Sequence, residues 1–503
     1  MLDNSTGFNY LMLSDVHLGS DLVQHAAPWT AERLASQREV DHQLVAFLSY
    51  YRARAEAGRP WKLILVGDIF DLVGMSVAPV VAQGGSPPKP EDLRHGLGNA
   101  SDQSAEKMRH VVERHRSVFA ALGAFVQDGH HLVMVRGNHD VEFYWESVQA
   151  VFVSALIELQ GAAIDLAAQE GIRRRVEFHD WFYYEPGMVY VEHGHQYDET
   201  CSYHHQLAPL CPDDPSRLSY SFSDILMRYI VRPTRGLSSD GHENQQLSDY
   251  VKLAVSLGVG GCVGLSTRFG RALGRMLTAC RSHAGPRASS IGDEQERRLR
   301  ALADARRLAP ETLRALADLA AKPVTGGLAS IVRSVFLDGV AAIGALGLLI
   351  GGLLLSGWLP AYAVAAVGMA GVLPVASLLR SSRVHDPDAC LRAGAAQVAK
   401  LFPAAYVVMG HTHQYRFEAL SESPRTTYIN LGWWAGDECE APVGAAPPRS
   451  YLVLRWRDGG LSAVLVGWDA EEGPRPLWPG RNANTAKPGF AQERKDALVH
   501  AAS

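Results

Sequence analysis

The chain repeats one local pattern five times: a short run of β-branched and aliphatic residues that stops at a cluster of Gly, Asp, Asn and His. Residues 11–13 run into Ser14-Asp15-Val16-His17, 63–66 into Gly67-Asp68, and 133–135 into Arg136-Gly137-Asn138-His139-Asp140. Residues 189–191 end at Glu192-His193-Gly194-His195, and 407–409 at Gly410-His411-Thr412-His413. Continuous apolar runs of this length predict strands buried on both faces. Between them the spacing turns helical, over 31–57 with Leu34, Val40, Leu44 and Leu48, then over 106–125 and 146–159. Further strands are expected at 176–178 and 188–191. Strands alternating with helices predict an α/β fold, of which residues 1–200 form the first part of the core. Residues 74–104, with Gly84-Gly85-Ser86-Pro87-Pro88 among them, predict a long surface loop.

Residues 201–332 change character. Pro209, Pro212 and Pro215 break the strand pattern, and the spacing of Leu299, Leu302, Leu308, Leu313 and Leu316 predicts a helical insertion. Its arginines, Arg297, Arg298, Arg300, Arg306 and Arg307, predict a solvated helix face. Residues 339–379 carry no charged side chain and are split by Ser356-Gly357-Trp358-Leu359-Pro360. Each half approaches the roughly 20 residues that a membrane-spanning helix needs. Residues 333–383 therefore predict an apolar helical hairpin in contact with a membrane, and Arg333, Arg380 and Arg383 put both its ends on the cytoplasmic side. Burial inside the protein, or in the interface of a homo-oligomer, is the alternative. The α/β pattern resumes over 384–469, the second part of the core, with a helix at 389–401 and strands at 405–409, 426–431, 450–456 and 461–468. Residues 470–503, rich in Pro, Gly, Asn and Lys, predict a disordered tail.

Composition adds exclusions. A chain of 503 residues with a net charge of -5 has no general attraction for nucleic acid. The six cysteines are scattered without C-x-x-C spacing, which points away from thiolate metal chemistry and towards a reducing compartment. The first apolar run is too short for a signal peptide. A cytoplasmic protein is expected, held at the cytoplasmic face of a membrane by its hairpin, the inner membrane if the cell is bacterial.

The polar clusters carry the candidate chemistry. In open α/β sheets ligands gather beyond the carboxyl ends of the strands, where all five clusters fall. Asp15, His17, Asp68, Asn138, His139, His193, His411 and His413 are too many donors for one ion. Mixed nitrogen and oxygen donors without thiolate favour Mn, Fe or Zn, so a centre of two divalent ions, Mn2+ first among them, is expected.

Taken in order, D-x-H, G-D-x-x-D, G-N-H-D, H-G-H and G-H-T-H resemble the motifs of the calcineurin-like metallophosphoesterase superfamily, across residues 8–200 and 385–468. The resemblance implies a four-layer α/β/β/α sandwich, with Asp15, His17 and His413 on one metal, Asn138, His193 and His411 on the other, and Asp68 bridging them. It implies that His139 is the catalytic imidazole, with Asp140 nearby to orient it. His195 and Asp71 are expected to support the site or meet substrate. The implied activity is metal-dependent hydrolysis of a phosphoester or diphosphate in a small-molecule or lipid-linked substrate.

Gly67-Asp68-Ile69-Phe70-Asp71-Leu72 lacks the arginine and glycine that phosphoprotein phosphatases carry after the second aspartate. The short motif and the apolar hairpin look more like the UDP-2,3-diacylglucosamine pyrophosphatase branch, although that branch commonly has arginine where this chain has His139. A nuclease or cyclic-nucleotide phosphodiesterase is the alternative enzyme. A membrane-tethered scaffold with a structural metal site is the alternative outside enzymes.

Overall fold

The computed structural model describes residues 7–23, 31–54, 58–79, 89–161, 164–234, 247–334, 386–422, 425–434, 449–457 and 460–477. Strands β1 (Asn9–Leu13), β2 (Trp61–Val66), β3 (His131–Val135) and β4 (Val176–His179) pair in parallel in that order. Parallel neighbours need long crossovers. These are helices: α1 (Ala31–Arg52) leads to β2, and α2 (Pro90–His95), α3 (Ser101–Arg114) and α4 (Arg116–Gln127) lead to β3. Then α5 (Glu146–Glu158) and α6 (Leu166–Arg175) lead to β4.

A second sheet takes β5 (Phe182–Glu185), β6 (Gly187–Glu192), β9 (Ala404–Met409), β10 (Arg416–Glu422) and β11 (Arg425–Asn430), in the order β10-β11-β9-β6-β5. The chain finally returns to the first sheet, where β12 (Arg449–Arg457) pairs antiparallel with β1 and is followed by β13 (Gly460–Asp469) and β14 (Gly473–Pro476).

Alternation along the strands explains the cores, because successive side chains point to opposite faces. Leu11 and Leu13 pack with Phe47, Phe119 and Phe152 of α1, α4 and α5. Tyr10 and Met12 instead share a core with Val189, Val191, Val408 and Ile429 of the second sheet. That sheet's remaining residues, Tyr190, Val407 and Met409, pack with Leu299, Leu313, Leu316 and Leu391 from helices. Each fully buried side chain of this kind contributes roughly 1.5–3 kcal/mol.

The insertion contains β7 (Leu210–Cys211), β8 (Asp214–Leu218), α7 (Phe222–Leu226), α8 (Leu247–Ala284), α9 (Ala288–Arg306), α10 (Pro310–Ala317) and α11 (Leu328–Ser334). Helix α12 (Pro387–Leu401) starts at an Asp386 cap that accepts from Ala389 N, with proline at the first turn, and buries Leu391, Ala395 and Val398.

Four expectations change. Residues 74–104 are not all surface loop: they contain α2 and bury Met75, Val77 and Leu97. The single helix expected at 106–125 breaks at His115, whose Nδ1 lies 2.6 Å from Asp41 Oδ1 while its Nε2 accepts from Gly19 N. The insertion is not purely helical, since the prolines flank or enter a small antiparallel hairpin, β7–β8. The tail does not begin at 470, because β14 still pairs with β13. The apolar stretch at 339–379 and residues 478–503 lie outside the described residues. Among the described residues no helix is long and apolar enough to cross a membrane.

Candidate metal centre

The loops after β1, β2 and β3 are stitched together by their backbones: Val16 N and His17 N donate to Asp68 O, and Asp71 N donates to Leu18 O. The β6 and β9 loops meet them from the other sheet, with Gly410 N donating to His193 O. Close approach demands glycine before the polar residues. A Cβ on Gly67 would lie 2.6 Å from the His193 ring, and one on Gly137 would collide with Asp68. Six non-glycine residues among those described have positive φ, and five of them are Asp15, His17, Asp68, His411 and His413. Such conformations cost energy for L-residues and gather at functional sites, so this distribution marks the loops as shaped for their side chains.

Those side chains converge. Asp15, His17 and His413 form one group whose donor atoms all lie within 4.8 Å of one another, and Asp68, His193 and His411 form a second. His193 Nδ1 lies 2.9 Å from Val66 O, which leaves Nε2 turned to Asp68 Oδ2 at 3.1 Å. Asp15 Oδ2 accepts from His411 N, and its Oδ1 lies 3.4 Å from His413 Nε2. The amide oxygen of Asn138 is buried and accepts no hydrogen bond among the described residues, as suits a group awaiting a cation.

Charge in this cluster is carried by shared protons. Burial works to raise the Asp68 carboxyl, but His193 and His139 outweigh it and hold it well below its ordinary value. Burial likewise opposes a charged His193, and Asp68 overrides it to push that imidazole up to about 9. A divalent ion among these donors would displace such protons and supply the same positive charge. The donor set therefore fits divalent metal on chemistry as well as spacing.

His139 joins the two groups: with His17 and Asp68 it forms a third, its ring centroid is 4.6 Å from that of His17, and its backbone N–H donates to Asp68 Oδ1. Its Nδ1 lies 2.8 Å from Asp71 Oδ1. Burial opposes a charge on this ring, while Asp68 and Asp71 together push it up to about 10. Here an expectation is corrected. Asp140 does not orient His139; its two carboxylate oxygens accept from Ile69 N and Gly137 N, pinning the β2 and β3 loops together. Burial and the Asp68 charge raise Asp140 to about 7. Asp71 takes the orienting place. His195 is buried beside His193, ring centroids 5.5 Å apart, and its Nε2 meets Gln206 Nε2 at 3.2 Å. It belongs to none of the three-donor groups among the described residues, the last of which is Asp198, Cys201 and His411.

No family model and no curated protein matches the chain.

The geometry adds two residues that sequence reading overlooked. Asp198 Oδ2 lies 3.1 Å from His411 Nε2, fixing that ring. Its signal was available, since Asp198 follows His195 by three within one polar run. Trp433 stacks on His413, centroids 5.1 Å apart and planes at 13°. Nothing in its local sequence announces that contact, because β11 is brought beside β9 only by the fold.

Proposed function

We propose that the chain is a metal-dependent phosphoester or diphosphate hydrolase of the calcineurin-like metallophosphoesterase type. The observation that carries this reading is the convergence of the Asp15–His17–His413 and Asp68–His193–His411 groups, linked by a third group of His17, Asp68 and His139, with Asp71 on His139 Nδ1. The core shared by the two sheets, with helices packed on their other faces, supports the four-layer α/β/β/α arrangement. Asp15, His17 and His413 would hold one divalent ion and Asn138, His193 and His411 the other, with Asp68 between them. When bound, two such ions, Mn2+ first and Fe or Zn next, would supply positive charge for a phosphoryl group and for lowering the pKa of a water.

The chain's own residues supply the rest. His193 is held by Val66 O and His411 by Asp198, so neither ring must reorganise when substrate arrives. Asp71 keeps the proton of His139 Nδ1 in place, leaving Nε2 to deliver a proton to the departing ester oxygen. Asp140 keeps the two loops that carry Asp68 and His139 in register. The charge-free stretch at 339–379 supports a lipid-linked substrate met at a membrane surface.

The test is metal analysis with an activity panel after chelation and Mn2+ addition, on bis-p-nitrophenyl phosphate, a UDP-linked lipid, cyclic nucleotides and single-stranded DNA. Hydrolysis that needs added Mn2+ is expected. His139→Ala should lower turnover of esters with an alkyl leaving group, such as the cyclic nucleotides, by about a hundredfold with metal content unchanged. Inactivity on every compound would overturn the reading.

A further inference from the structure

Arg232 lies in the insertion, far along the chain from the motif loops, yet its side chain ends in the centre. Helix α7 continues through a π turn, Met227–Val231, and Arg232 follows directly. Such turns recur at functional sites, where the widened helix re-aims its side chains. Arg232 is 8% exposed. Its Nη1 donates to Ser20 O at 3.1 Å, in the loop after β1, and its Nη2 is paired with Asp71 Oδ2. The other oxygen of that carboxylate accepts from Gly74 N at 2.9 Å and faces His139 Nδ1 at 2.8 Å. A Cβ at Gly74 would collide with both Arg232 and Asp71, so the packing leaves no slack.

Near the start of α7 a second contact, made through Tyr203, reaches the loop after β3. Asp224 accepts from Tyr203 Oη at 3.0 Å, and that hydroxyl also lies 3.3 Å from the carbonyl of Asn138. The insertion thus reaches the loops after β1, β2 and β3, through Arg232 on Ser20 and Asp71 and through Tyr203 on Asn138.

A carboxylate can present either oxygen to an imidazole and can rotate between them. With one oxygen bound to a rigid guanidinium fork, Asp71 has one orientation, and the imidazole it holds has one tautomer. We infer that Arg232 is a positioning residue for His139, acting through Asp71, and that the insertion is a working part of the reaction centre. This rests on the hydrolase reading for its kinetic consequence, not for its geometry. A fixed Nδ1–H leaves Nε2 aligned on the leaving oxygen. Esters of alkyl alcohols need that proton as the bond breaks, whereas p-nitrophenolate departs without it.

The experiment compares wild type, Arg232→Ala and Arg232→Lys as full-length proteins. Lysine keeps the charge, but its single nitrogen cannot occupy both the Nη1 and the Nη2 positions that meet Ser20 O and Asp71, so the fixed fork is lost. The first readout is the downfield imidazole N–H resonance of His139 in protein loaded with diamagnetic Zn2+ and again after chelation, assigned by its loss in His139→Gln. Loss or broadening of that resonance in both Arg232 variants is expected, and its persistence unchanged would overturn the inference. The second is turnover of an alkyl and a p-nitrophenyl phosphodiester with Mn2+. The alkyl rate should fall by about tenfold more than the p-nitrophenyl rate; an equal fall in both would mean a merely structural role and also overturn it. If Arg232→Ala does not fold, Arg232→Lys carries both readouts. Should wild type hydrolyse neither ester, the hydrolase reading fails, and the resonance still decides whether Arg232 orients His139.

Discussion

Several side chains of the centre are fixed by a partner outside the donor groups, and His411 shows the consequence most simply. Its backbone sits at φ 74° and its Nε2 is engaged by Asp198. The ring therefore has one face and one nitrogen, Nδ1, left for a cation. Partners of this kind typically change metal affinity by about 10- to 100-fold when removed. Asp198→Ala should weaken Mn2+ binding by about that factor, measured by equilibrium dialysis, without unfolding the protein. An unchanged affinity would show that the strained backbone alone suffices to aim His411. The contrast with Asp140 matters, because both are buried carboxylates near the site. Asp140 is spent on two backbone N–H groups, so its removal leaves unpaired donors in the loops, a stability defect rather than a change in the aim of a ligand.

At the scale of elements, the insertion is held together by contacts that pH can probe. His204 stacks on His283 at the end of α8, ring centroids 3.6 Å apart and planes at 10°, and His283 Nε2 meets Ser219 Oγ. Burial, reinforced by the neighbouring imidazoles, lowers His204 to about 4 and His283 to about 3. Both folded values lie below the ordinary 6.5, so the fold favours the neutral rings. Their contribution is complete above pH 6.5 and is lost as pH falls towards 4 and 3. The difference in unfolding free energy between wild type and His283→Gln should shrink by on the order of 2 kcal/mol between pH 7 and 4, measured by urea titration. A constant difference would show that the stack does not depend on neutral rings.

This contact also marks what sequence could reveal. The strands of the centre were legible because each is a short apolar run ended by a polar cluster, a signal carried within ten residues. The convergence of Asp15, Asp68 and His193 followed from one rule about strand ends. The break at His115 was not legible, since the ring's partners, Asp41 and Gly19, lie far away in the chain. Nor was the exchange of roles between Asp71 and Asp140. Both stand within reach of His139 in sequence terms, and only tertiary hydrogen bonds separate the orienting carboxylate from the pinning one. Arg232 is the extreme case, an arginine among many whose burial beside Asp71 depends on how the insertion folds back.

At the scale of the whole molecule, the two three-donor groups join parts of the chain that no local element connects. Asp15 and Asp68 extend from the seven-stranded sheet, and His193, His411 and His413 from the five-stranded one. A cation held by both groups of loops cross-links the sheets, and an unfolded chain offers no such arrangement of donors. Binding to the native state alone adds RT ln(1 + [L]/Kd), about 4 kcal/mol at a thousandfold excess over Kd. Loading with Mn2+ should therefore raise the thermal midpoint of the chelated protein by several degrees, followed by scanning calorimetry. Asp68→Ala should abolish most of that rise, because Asp68 faces donors of both groups, whereas His204→Gln, outside them, should keep it. If chelation left the midpoint of the wild type where it was, the two sheets would be held by the Asp–His hydrogen bonds and the shared apolar core alone, and the cluster would be structural in the absence of any ion.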